Sequence, residues 1–180
     1  VAKAIGSAIS IGGDDILVRT DRLNELEQTR LDYWNELVKH MRRHSSLIVF
    51  NKPKLKKNHQ LRAKAETLGS GKIILVAQAI VSPESLIGVG IEISGSKEYY
   101  AALEKDKFKI QSEIGFERDM RQEFQWHPET KVRDIWLYQH IDFLEHQQWP
   151  EQHEWLCEKL MAFRTVLSPR IKELIALRAL

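Results

Sequence analysis

The chain has little of what disulfide-built, membrane-spanning or motif-bearing enzymes display. One cysteine, Cys157, occurs in 180 residues, which excludes an internal disulfide framework and a cysteine-based zinc site. No apolar run approaches the ~18–20 residues of a membrane span, so no membrane partner is expected. Residues 1–11 are small and apolar but are interrupted by Lys3 and Gly6, without the compact core of a signal peptide. These absences suit a cytoplasmic protein. There is no Gly-x-Ser-x-Gly elbow, and Ser94-Gly95-Ser96 reads as the loop and cap before a helix. Leu68-Gly69-Ser70-Gly71-Lys72 lacks both the first glycine of a phosphate loop and the Ser/Thr after its lysine. It also joins two strands, so it reads as a hairpin turn. Internal repeats and low-complexity tracts are absent as well.

What is present is a chain that is 43% hydrophobic and 29% charged, enough to bury a core. The net charge of +2 conceals a block. Residues 39–72 hold ten Lys or Arg and one acid, Glu66, a local charge of +9 that leaves −7 for the remainder. Clustered basic charge is the footprint of polyanion binding. A solvated loop and an edge strand whose lysines oppose aggregation would carry the same composition.

Hydrophobic spacing divides the chain. Residues 1–20 have no clean period, and Gly12 to Asp15 read as a turn, so this stretch is expected to be a linker or arm before one domain over 21–180. Asp21 caps a helix to about residue 45, with Leu23, Leu26, Arg30, Trp34, Leu37 and Met41 on one face. Residues 60–68 alternate, placing Leu61, Ala63, Ala65 and Thr67 on one side. Residues 72–81 read as a central strand and 86–93 as a third, with Gly88 and Gly90 on one face. Those glycines predict close packing, assigned to a helix over 96–114 that stops at Gly115. Strands are predicted over 116–126 and 131–139, then a helix from Trp149-Pro150 that Ser168-Pro169 kinks or divides. The fold class is therefore α+β: helix, three-strand antiparallel meander, helix, β-hairpin, C-terminal helix, with the helices on one face of the sheet.

Candidate chemistry is sparse. His40 and His44 are four apart on a helix, a chelating interval. Lys39, Arg42 and Arg43 surround them and no Glu follows His40, so they read as a basic helix end and no metal is expected. His140, Asp142, His146 and His153 span a loop and a helix start at irregular spacing; they form the basis of a weaker enzymatic reading. Cys157 has no identifiable base and reads as a packed thiol. Trp126, Trp136 and Tyr138 could stack on bases, but strand aromatics more often fill a core. No cofactor motif is found.

The helix, three-strand, helix, strand order is also that of the PD-(D/E)xK nuclease core. Such a site needs an acid on the second strand and an acid-x-Lys on the third, for Mg²⁺ and the attacking water. The second strand has no acid here, and the third offers Glu92-Ile93-Ser94, with Ser in the lysine position. At most this is a degenerate nuclease.

Several stretches in order resemble a bacterial and archaeal family, domain of unknown function 4268. They are Asp32-Tyr33-Trp34, Ile87-Gly88-Val89-Gly90-Ile91-Glu92-Ile93, and the helix of residues 99–115 with Lys107 and Ile110. The ending resembles it too, through Trp149-Pro150-Glu151-Gln152-His153-Glu154-Trp155-Leu156 and Ser168-Pro169-Arg170-Ile171-Lys172-Glu173-Leu174. The resemblance covers about residues 22–176. It implies nuclease-associated company, since the family's domain commonly follows a PD-(D/E)xK-like domain, with residues 1–20 in the place of the connector. It supplies no catalytic residues.

The expected function is a non-catalytic, nuclease-associated module that binds nucleic acid through Arg42, Arg43, Lys52, Lys54, Lys56, Lys57, Arg62 and Lys64, with the loop lysines, Arg62 and Lys64 forming one positive surface. The alternative is a protein-interaction module that docks to a nuclease domain or to itself.

Overall fold

Helix α1 spans Gly13–His44 in the computed structural model, which describes residues 13–44, 47–53, 59–81, 84–95, 97–117, 121–128 and 132–178, with side chains from residue 25 to residue 177. The helix thus starts ahead of the Asp21 cap that the periodicity suggests. Asp14 and Asp15 suit a turn, but acidic residues are equally favoured in a first helical turn. Of the face read from spacing, Trp34, Leu37 and Met41 are buried, and Tyr33 joins them. Tyr33 meets Trp34, Phe143 and Trp149 at ring-centroid distances of 5.1, 5.6 and 5.2 Å.

The strands are β1 (Gln60–Arg62), β2 (Ile73–Ile80), β3 (Leu86–Ile93), β4 (Gln122–His127) and β5 (Arg133–His140). They form one antiparallel sheet in the order β1-β2-β3-β5-β4. Alternation sends Ile73, Leu75, Ala77 and Ala79 of β2, and Ile87, Val89, Ile91 and Ile93 of β3, into the core shared with the helices. Val76, Trp136 and Tyr138 form a separate buried cluster on the opposite parity.

Several local expectations change. The alternation over 60–68 does not continue as strand. β1 stops at Arg62, Ala63 bridges Phe50, and Ala65–Thr67 turn as a 3-10 helix. The turn is closed by Thr67 N–H donating to Lys64 O (3.0 Å) and Gly69 N–H donating to Glu66 O (3.1 Å). Residues 49–51 take up the sheet edge instead: Asn51 N–H donates to Arg62 O (2.9 Å) and Lys64 N–H to Val49 O (2.7 Å). The helix expected over 96–114 breaks at Asp106 into α2 (Lys97–Lys105) and α3 (Lys107–Ile114). α3 stops at Gly115 as read, with φ +75 and its N–H on Gln111 O and Ser112 O. Neither helix explains the two strand glycines. A Cβ on Gly88 would meet the Tyr138 ring at 2.5 Å, and one on Gly90 the Trp136 ring at 2.5 Å. The close neighbours are the rings of the adjacent strand. Phe116, expected to begin a strand, instead meets Phe124 edge-on at 5.7 Å.

Helix α4 runs unbroken over Trp149–Arg178, with Pro169 inside it. Its stripe of Leu156, Leu160, Phe163, Leu167 and Ile171 is fully buried. Burial continues past the proline, so packing carries the helix through. Lys159 is buried beside this stripe, its Nζ donating to Gly115 O at 3.0 Å and so capping α3. No helix among the described residues is long and apolar enough to cross a membrane.

Candidate nucleic-acid interface

The last turn of α1 carries Arg42, Arg43 and His44. Both arginines and Lys39 are exposed. The chain returns past this helix end as residues 50–53, because Phe50 is held by its bridge to Ala63. Between the two lies a groove of about 730 Å³. Lys39 and Arg42 border it from α1, Lys52 from the returning segment, His146 from the 3-10 turn before α4, and Trp149 from the start of α4. Asp32 and Glu36 border it as well. They precede Arg42 by ten and six residues on a helix that rises 1.5 Å per residue, so negative charge lies toward one end of the groove and positive charge toward the other. Among the described residues, Lys39, Arg42, Arg43 and Lys52 have no ion-pair partner.

Arg62 and Lys64, the members of the basic block on and after β1, do not border this groove. Arg62 faces the opposite parity of the sheet, where its guanidinium pairs with both carboxylate oxygens of Glu92. Its charge is matched by Glu92. Lys64 is exposed beside Leu47, Val49 and Glu66, around a hollow of about 240 Å³. Lys54, Lys56 and Lys57 lie outside the described residues.

Pairing with Arg62 also occupies Glu92, the acid that the nuclease comparison singles out. Its cross-strand neighbour Asp134 contacts His127 Nδ1 at 2.5 Å. The set His140, Asp142, His146 and His153 is dispersed over separate contacts. His140 pairs with Glu84 (3.3 Å), Asp142 accepts from the Ser85 hydroxyl (2.9 Å) and the Leu144 N–H (3.0 Å), and His146 stacks on Trp149 (4.3 Å). His153 is buried against Tyr33 at 4.5 Å. Burial, and next to it the nearby His40, push the His153 imidazole down to about 4. Burial, with Glu154 adding to it, pushes the Cys157 thiol up to about 12. Trp136 and Tyr138 stack on each other at 5.6 Å and are buried, as strand aromatics of a core would be.

Sequence reasoning singled out the arginines at the end of α1. The groove itself was not legible, because residues 50–53 and 146–149 reach α1 only through sheet pairing and the docking of α4.

The family model described as Domain of unknown function (DUF4268) matches residues 29–171, so the chain belongs to that family. No curated protein and no solved structure matches it.

Proposed function

We propose that this member of the DUF4268 family is a non-catalytic accessory module that binds nucleic acid along the groove between the end of α1 and residues 50–53. The observation that carries the reading is that Lys39, Arg42 and Lys52 converge on one groove without carboxylate partners among the described residues. Arg62 and Arg170, by contrast, are paired. Unpaired, exposed cations gain most from a phosphate, since no existing ion pair must be broken and condensed counterions are released. Such contacts give affinity without sequence choice. A nuclease-like domain as companion is part of this proposal, and the family resemblance is its support. The test is fluorescence anisotropy of the full chain with duplex and single-stranded oligonucleotides at rising salt, for the parent and for a variant with Arg42 and Lys52 changed to Glu.

A second reading is docking to a protein partner, a nuclease domain included. It is favoured by Val49 and Phe108, apolar side chains that are 49% and 83% exposed. Binding of no oligonucleotide at low salt would transfer the proposal to this reading.

A further inference from the structure

In the sequence, His40 and His44 stand among Lys39, Arg42 and Arg43, and no Glu follows His40. The fold supplies one. α4 docks against α1 so that Glu154 Oε2 lies 3.0 Å from His40 Nε2. The His44 ring stacks on His40 at 4.4 Å, and one ligand atom from each of the three residues lies within 4.8 Å of the others. Among the described residues this is the grouping of three or more metal-competent side chains.

We propose that His40, His44 and Glu154 bind a transition-metal dication such as Zn²⁺, Co²⁺ or Ni²⁺ and clip the end of α1 to the start of α4. Two imidazole nitrogens and one carboxylate are a donor set for these borderline ions, whereas Mg²⁺ and Ca²⁺ take oxygen. With metal–ligand bonds of about 2.0–2.1 Å, two ligands at a tetrahedral angle stand about 3.3 Å apart. His40 and Glu154 need to part by only a few tenths of an ångström. The larger closure falls to His44, which is exposed and turns about its own side-chain bonds.

The surroundings supply an independent observation. His153 borders the same hollow as His40, of about 290 Å³, and is only 3% exposed. It is hydrogen-bonded to the Tyr33 backbone, yet its Nε2 is buried with no partner. Three protein ligands leave a coordination position for water. Lys39 and Arg43 also border the hollow, as does Glu36. The two basic residues are exposed, so the high dielectric of the surrounding water weakens their repulsion. The negative end of the α1 dipole favours a cation at this place.

The experiment is titration of the untagged full chain with Co²⁺, read by visible absorption, followed by displacement with Zn²⁺. One equivalent is expected to bind the parent with a ligand-field spectrum. His44→Ala and Glu154→Gln are each expected to weaken binding at least about tenfold, while His140→Ala, whose parent side chain pairs with Glu84 and is not in the cluster, leaves it unchanged. His44 and Glu154 are exposed, so the metal-free melting temperatures should match the parent's. Zn²⁺ is expected to raise the melting temperature of the parent but not that of His44→Ala, because it binds only the folded arrangement. No stoichiometric spectrum from the parent, or unchanged affinity in either ligand variant, overturns the assignment. Neither outcome bears on the groove, whose Arg42 and Lys52 are not ligands.

Discussion

Gly90 lies directly beneath the indole of Trp136, its partner across the β3–β5 register. A methyl group at this position would stand 2.5 Å from the ring and would also meet the Ile135 carbonyl oxygen, which cannot swing away. Gly90→Ala is therefore expected to destabilise the fold by about 1–3 kcal/mol through overpacking. Urea unfolding of the two proteins measures it, and an unchanged midpoint would remove this packing relation. Gly95 offers the contrast in crowding, with open space around its Cβ direction, although its φ of +72 still favours glycine.

Nucleic-acid binding should be electrostatic. With about three to four phosphate contacts on duplex DNA, the log–log salt slope is expected near −3 to −4. Changing Arg42 and Lys52 to Glu should flatten that slope and weaken low-salt binding more than tenfold. The melting temperature should hold, because exposed charges contribute little to stability. Arg62→Gln, whose parent side chain already pairs with Glu92, and the acidic control Glu145→Gln with Glu151→Gln should bind like the parent. Equal binding by the Arg42/Lys52 variant and the parent would remove the groove as the interface.

No cleavage of DNA or RNA is expected with Mg²⁺ or Mn²⁺. Glu92 is held by Arg62, and Ser94 stands where an acid-x-Lys pair needs its lysine. Cleavage that persists through purification and disappears in Glu92→Ala would reverse this expectation.

Cys157 is 6% exposed, and its thiol is pushed up to about 12, chiefly by burial. The thiolate is the reactive form, so iodoacetamide at pH 8 should leave the native protein unlabelled and modify it fully in guanidinium. Rapid labelling of the folded chain would falsify the packed-thiol reading.

Much of the fold was legible because it rests on near-neighbour spacing. The 86–93 strand, the helix stop at Gly115 and the apolar stripe after Trp149 follow from periods of two and 3.6 and from glycine's access to positive φ. The errors fell where two local solutions were nearly equal. Alternation at 61–67 suits a strand, but the Phe50 segment took the edge and left residues 65–67 to turn. Pro169 can end a helix, but burial of Leu167 and Ile171 on either side carried α4 across it. The burial of Tyr33 does not follow from the spacing, because Trp34 beside it already fills that face.

By itself, then, the sequence determined most of the element types, the α+β class, the basic helix end and the lack of an acid-x-Lys on the third strand. These depend on residue identity and on interactions along a few turns of chain. Only the tertiary structure decided which charges are free and which are matched. Arg62 meets Glu92 because β1, β2 and β3 pair in one register. His40 meets Glu154, 114 residues away, because α4 packs on α1 through side chains whose periodicity says that each helix is buried but not against what. Spacing specifies a face. The partner of that face is chosen by how all the apolar faces can be buried together, and that is a property of the whole chain.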